Sequence, residues 1–156
     1  MILGKGEEQK DIDETAKRLG IKKNVICRFD FIPEEERILH YADSDVCDFP
    51  SVYEPFGIVS LEAMAMGKPI VVGAHGVVGF REQVINSGPE QNGIHINGEN
   101  AADIAWGVKE VLKNFEKAKL WGKNGRERVL KYFTWEQVVE QTLQIYRSLQ
   151  SKTAKK

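Results

Sequence analysis

Ser51-Val52-Tyr53-Glu54-Pro55-Phe56-Gly57-Ile58-Val59-Ser60-Leu61-Glu62-Ala63-Met64-Ala65 joins a β-like run, Val46 to Phe49, to a helical run, Gly57 to Met66, closed by Gly67. A strand ends at Pro50, a short loop holds Glu54, and a helix begins at Gly57. The first N–H groups of a helix have no partner inside it. The amides of Gly57, Ile58 and Val59 therefore form an anion site, reinforced by the helix dipole. Gly57 has no side chain to keep a phosphate from the backbone. Glu62 follows Ile58 by four residues, on the same helical face. Helical side chains lean toward the N-terminus, so Glu62 points back at whatever the amides hold. A carboxylate beside a diphosphate is electrostatically unfavourable unless it accepts hydrogen bonds from hydroxyls, and a ribose supplies those. Glu54, in front of the amides, is placed to accept from hydroxyls beyond the phosphates. The ligand implied is a sugar nucleoside diphosphate lying across the C-terminal ends of parallel strands.

The surrounding chain alternates in the way such a sheet requires. Met1 to Leu3 is strand-like. Glu8 to Leu19 reads as a helix with Ile12, Ala16 and Leu19 on one face, and Gly20 stands where a C-terminal cap is expected. Asn24 to Arg28 is β-like. Pro33 opens a helix over Glu34 to Asp43. Pro69 to Val72 is the most β-branched stretch and reads as a buried parallel strand, and Gly93 to Ile96 is the last strand. The remainder is helical. Ala101 to Leu112 is capped by Asn100, with Asp103 bonding back from the third helical position. Glu116 to Tyr132 is a helix bent near Gly122 and Gly125, and Thr134 caps a third helix with an apolar stripe from Trp135 to Leu149. Short connections between alternating strands and helices predict a Rossmann-like three-layer α/β/α fold with a mainly parallel sheet.

Glu54 and Glu62, with seven residues between them and Pro-Phe-Gly after the first, resemble the E-x7-E signature of retaining GT-B glycosyltransferases. The whole run is similar to family 4 enzymes (glycosyl transferases group 1) and, more distantly, to glycogen and starch synthases. The likeness extends through Asn24-Val25, Pro33-Glu34-Glu35, Tyr41-Ala42-Asp43, Gly67-Lys68-Pro69-Ile70-Val71 and Phe133-Thr134-Trp135. The resemblance implies that Glu62 binds ribose and that Glu54 contacts the donor sugar at the reacting carbon, as the catalytic residue. It also implies that Phe56 and the amides of Gly57, Ile58 and Val59 take the nucleotide sugar at its distal phosphate. The fold implied is the C-terminal domain of a GT-B enzyme. No cofactor and no metal is implied, because GT-B enzymes generally work without one and no Asp-x-Asp pair in strand context occurs.

Other positions carry two readings each. Gly4-Lys5-Gly6 lies between a strand and a helix, so Gly4 is either a nucleotide-binding position or an ordinary turn. Arg28-Phe29 ends a strand at the same sheet edge. The resemblance puts the base there, and a buried Phe beside a solvated Arg is the alternative. His75-Gly76-Val77-Val78-Gly79 borders the cleft, before Glu82, without the family's adjacent glycine pair. His40 and His95 read as structural, and Trp106, Trp121 and Trp135 as core residues.

A chain of 156 residues fits one domain. With 22 basic against 23 acidic residues, nothing calls for nucleic acid as a partner. Cys27 and Cys47 show no metal spacing and read as two buried thiols. No apolar run approaches a membrane span, and the expected location is cytoplasmic. The first strand begins at Met1, where a Rossmann-like half would have a preceding βα unit. Residues 1–150 are therefore expected to be a nucleotide-sugar-binding domain without its first βα unit or the N-terminal acceptor domain. The resemblance places a diphosphate-binding Arg and Lys in that upstream part. Ser151 to Lys156 is expected to be a disordered tail. Partners expected are a nucleotide sugar and the acceptor domain; the C-terminal helix is expected either to dock on its own sheet or to form a homodimer. The competing functional class is a binding module without turnover.

Overall fold

The computed structural model describes the backbone of residues 1–153 and the side chains of residues 1–150. It divides into two units, Met1–Arg37 and Ile38 onward. No composition shift marks that boundary, which lies inside a helix.

In the first unit, β1 (Ile2–Leu3) runs parallel to β2 (Cys27–Arg28), with Ile2 opposite Cys27. Between them lies α1 (Gln9–Arg18), which buries Ala16. Gly20 adopts φ +70° and ends it as expected, with the Ile21 N–H closing on the Ala16 carbonyl at 3.0 Å. The expected strand from Asn24 is shorter, because Lys22–Asn24 forms a 3-10 turn. Helix α2 spans Glu34–Asp43, immediately after Pro33.

The second unit is a three-layer α/β/α sandwich around a parallel sheet in the order β3 (Cys47–Phe49), β5 (Ile70–Gly73), β7 (Gly93–Ile96). Every residue of β5 is buried, as a central parallel strand requires. Its side chains alternate. Ile70 and Val72 face Leu61 and Met64 of α3 (Ile58–Ala65), Phe80 and Val129. Val71 faces the opposite layer, with Val111 of α5 (Ala101–Lys113) and Ala118 and Trp121 of α6 (Phe115–Tyr132). Two short parallel strands absent from the sequence reading, β4 (Tyr53–Glu54) and β6 (Val77–Val78), pair beside this sheet, and α4 (Phe80–Gln83) follows.

Helix α6 is continuous through Gly122 and Gly125. A Cβ at Gly122 would strike the Gly67 carbonyl, and one at Gly125 would sit 3.1 Å from Met64, so these glycines serve close packing. Asn100 caps α5 by accepting from Ala102 N–H at 2.9 Å, but Asp103 accepts from Asn97 N–H at 2.6 Å rather than from Asn100. Of the three tryptophans, only Trp121 is in the core; Trp106 is 49% and Trp135 is 78% exposed. Helix α7 (Trp135–Thr153) leaves its apolar stripe uncovered among the described residues, with Ile145, Tyr146 and Leu149 all more than half exposed. It runs three residues into the stretch expected to be a disordered tail, and residues 154–156 lie outside the described residues. Among the described residues no helix is long and apolar enough to cross a membrane.

Candidate functional site

The C-terminal edge of the β3-β5-β7 sheet is drawn together by glycines. A Cβ at Gly73 would strike the Ser51 carbonyl, one at Gly98 would strike the Pro50 carbonyl, and one at Gly76 would lie 2.5 Å from the Val52 carbonyl. The segment after β3 is thereby pressed against the loops after β5 and β7. Glu54 and Glu62 both stand at this end of the sheet, Glu54 on β4 and Glu62 on the second turn of α3.

Glu54 is not in a free loop, as the sequence suggested. Its backbone pairs opposite Val78, and its carbonyl accepts from Gly79 N–H at 2.8 Å, while its side chain stays half-buried. Gly57 caps α3 in the left-handed region, φ +83°, and a Cβ there would overlap the Phe80 ring. Only glycine satisfies both conditions. The N–H groups of Gly57, Ile58 and Val59 make no hydrogen bond among the described residues, leaving the start of α3 open. Phe56 and Ile58 flank it, exposed. Glu62 is half-buried, and Tyr41 Oη donates to its Oε2 at 3.2 Å.

Behind the loop sits a buried polar cluster with no local sequence signal. Gln83 is 1% exposed; its Nε2 donates to the Phe56 carbonyl at 2.6 Å, and its Oε1 meets the hydroxyl of Ser60, itself fully buried. Arg128 donates through Nε to the Gln83 carbonyl at 2.8 Å.

The remaining residues are arranged less simply. In the first unit, Gly4 N–H is taken by the Arg28 carbonyl at 3.0 Å, which extends the β1–β2 ladder and removes that amide from the ligand-binding inventory. The Arg28 guanidinium is spent on Asp30, at 2.9 and 3.0 Å, and on Glu36, at 2.7 Å. That pairing raises the Arg28 pKa and holds the Asp30 carboxyl at about 2. Phe29 is half-buried. His75 is exposed in the loop after β5. His95 is structural, its Nε2 lying 3.0 Å from the Val84 carbonyl, and burial lowers its pKa. Cys47 is buried, its thiol pushed up by desolvation, and Cys27 is half-buried. On β3, Asp48 Oδ1 is buried without a hydrogen-bond partner, and burial pushes this carboxyl up to about 6.

Known proteins share this fold. The sequence profile described as glycosyl transferases group 1 matches residues 1–128. An uncharacterized glycosyltransferase of Methanocaldococcus jannaschii is 33% identical over 147 residues, 94% of this chain and 36% of its own length. The structure of sucrose-phosphate synthase from Thermosynechococcus elongatus superposes with TM-score 0.79 at 35% identity, covering 94% of this chain and 35% of that one. HepE of Anabaena, solved in complex with UDP-glucose, superposes with TM-score 0.76 at 25% identity, covering 96% of this chain and 40% of that one. The chain thus spans little more than a third of the length of these relatives. A parallel α/β/α sandwich with its carboxylate pair at the strand ends, matched by that profile over most of its length, belongs to the glycosyl transferases group 1 family, with the GT-B fold.

Proposed function

We propose that this chain is the donor-binding part of a retaining glycosyltransferase of the family 4 type, which moves a hexosyl group from a nucleoside diphosphate sugar to an acceptor hydroxyl. The observation that carries this reading is the open start of α3, with three unpartnered amides flanked by Glu54 and Glu62 at the C-terminal sheet edge. The amides take the distal phosphate and Glu62 the ribose hydroxyls. Glu54 accepts from the sugar hydroxyls and stabilises the reacting carbon. The nucleoside diphosphate departs from the anomeric carbon while the acceptor attacks on the same face, and the leaving phosphate takes the acceptor proton. Charge on the departing group is met by fixed backbone dipoles, so the reading calls for no metal and no cofactor. A glycogen- or starch-synthase-like glucosyl transfer is the narrower variant of the same chemistry. The HepE complex makes UDP-glucose the first donor to try.

Transfer requires an acceptor held against the anomeric carbon, positioning worth roughly 7–11 kcal/mol when complete. We assign that task to polypeptide beyond these 156 residues, since the relatives are more than twice as long. The isolated chain is then a donor-binding module without turnover, most simply a cytoplasmic one.

Titration of the chain with UDP-glucose, ADP-glucose and GDP-mannose tests the reading. Saturable binding of at least one, competed by its nucleoside diphosphate, is expected at about millimolar affinity, near -4 kcal/mol. Failure of every nucleotide sugar and every nucleoside diphosphate to bind would refute it.

A further inference from the structure

We propose that Gln83 is a positioning residue that turns the amides at the start of α3 toward the donor's distal phosphate, an inference resting on the nucleotide-sugar reading above. The segment Pro55–Gly57 is not held by its own side chains. Pro55 is exposed and Phe56 is 54% exposed. Its backbone is held instead by residues of the β6–α4 segment: Gly79 N–H on the Glu54 carbonyl, the Phe80 ring against Gly57, and Gln83 on the Phe56 carbonyl. A peptide unit is planar and trans, so its C=O and N–H point in opposite directions. The unit joining Phe56 to Gly57 carries the Phe56 carbonyl and the Gly57 N–H. Gln83 Nε2 draws that carbonyl inward at 2.6 Å, which directs the Gly57 N–H outward, where it has no partner among the described residues.

The chemistry of a carboxamide suits this task. It offers a donor to the Phe56 carbonyl and an acceptor to the Ser60 hydroxyl in one plane, so both contacts fix its orientation. Ser60 lies on the first turn of α3, and its single hydroxyl hydrogen is shared between Gln83 Oε1 and the Gly57 carbonyl, the latter 2.9 Å away. The carboxamide therefore spans the peptide before the helix and the helix itself. Gln83 is fixed in turn from outside. Its backbone carbonyl accepts from Arg128 Nε at 2.8 Å and from the fully buried Asn92 Nδ2 at 3.4 Å, and Asn92 Oδ1 accepts from Ile85 N–H at 2.8 Å. A polar side chain that is almost wholly buried and satisfied at both ends specifies geometry rather than solubility.

The test uses the full chain with Gln83→Met, Gln83→Glu and Ser60→Ala, each checked for folding by circular dichroism. UDP and UMP are titrated against each at pH 5 and pH 8 and followed by amide NMR, which suits weak binding. Gln83→Met should lose about tenfold or more in UDP affinity, the scale of one buried carbonyl left without its donor. UMP, lacking the distal phosphate, should change by less than about twofold. Gln83→Glu should match Gln83→Met at pH 8 and recover UDP affinity at pH 5, where a protonated carboxyl again donates to Phe56. Should the Gln83 variants not fold, Ser60→Ala decides, because alanine suits a helix. It releases Gln83 Oε1 and should cost UDP alone about threefold. Folded variants that bind UDP like wild type, or that lose UDP and UMP equally, overturn the positioning role while leaving the nucleotide reading intact. A wild-type chain that binds neither nucleotide overturns both.

Discussion

Tyr41 Oη donates to Glu62 Oε2 at 3.2 Å, joining the end of α2 to the second turn of α3. Tyr41 is buried, so this hydroxyl restrains the carboxylate that the proposed function places on the ribose. At 3.2 Å this bond is long for a hydrogen bond to a carboxylate and contributes at the weaker end, about 0.5–1.5 kcal/mol. Tyr41→Phe should weaken nucleoside diphosphate binding by no more than that amount. Glu62→Ala, which removes a charged acceptor, should cost about 1.5–3 kcal/mol. Titrations of both variants check the ranking, and equal losses would contradict it.

Glu54→Gln keeps the shape of the side chain and removes its charge. Because the proposed function puts Glu54 on the sugar and not on the nucleotide, UDP affinity should stay within about twofold of wild type. The preference for UDP-glucose over UDP should fall. Competition between the two ligands measures this directly.

Asp48 carries a pH dependence of stability. Burial lifts its folded-state pKa from 3.8 to about 6, so the folded chain holds the extra proton between those values. Stability is therefore highest below that window, falls as pH rises through it, and bears the full penalty above it. The carboxyl remains half-solvated, so screening reduces the effect to about 1–2 kcal/mol at pH 7. Asp48→Val, a β-branched residue on a strand, should raise the melting temperature at pH 7 more than at pH 4. A gain equal at both pH values would point to packing alone.

Metal removal should leave donor binding unchanged, because the proposed function gives the fixed amides the work a cation would do. Dialysis against EDTA, then UDP titration with and without magnesium, checks this. An affinity that magnesium raises about tenfold would contradict it.

Helix α7 exposes Trp135, Val139, Ile145, Tyr146 and Leu149, an apolar surface of the kind that marks an interaction site. The sequence reading offers a homodimer as one occupant. Sedimentation should show the chain self-associating at micromolar to millimolar concentration, and Ile145→Glu should return it to monomer. A wild-type chain monomeric throughout that range would rule out the dimer.

What was legible in the sequence followed from local signals. The glycine-capped, open start of α3 is announced by a strand end, a glycine and an apolar helical run after it. The central strand is announced by Ile70-Val71-Val72 between breakers. The β4–β6 pairing left no trace, because two-residue strands have no periodicity and are fixed by close approach at Gly76 and Gly79. Gln83 was invisible for a related reason, since its partners lie 23 and 27 residues away. Arg28 looked available because its neutralising partners, Asp30 and Glu36, form no spaced motif with it. Periodicity assigned Trp135 to an apolar face correctly, but a face does not say what covers it.

The proposed ribose role of Glu62 predicts that only this carboxylate distinguishes a ribose from its deoxygenated counterpart. Wild type and Glu62→Ala are titrated with UDP and with its 2′,3′-dideoxy counterpart. Wild type should prefer UDP by about tenfold or more, as expected for a carboxylate that accepts from ribose hydroxyls. Glu62→Ala should bind the two ligands alike, at the weaker level. A Glu62→Ala variant that keeps both the affinity and the preference of wild type would contradict the account.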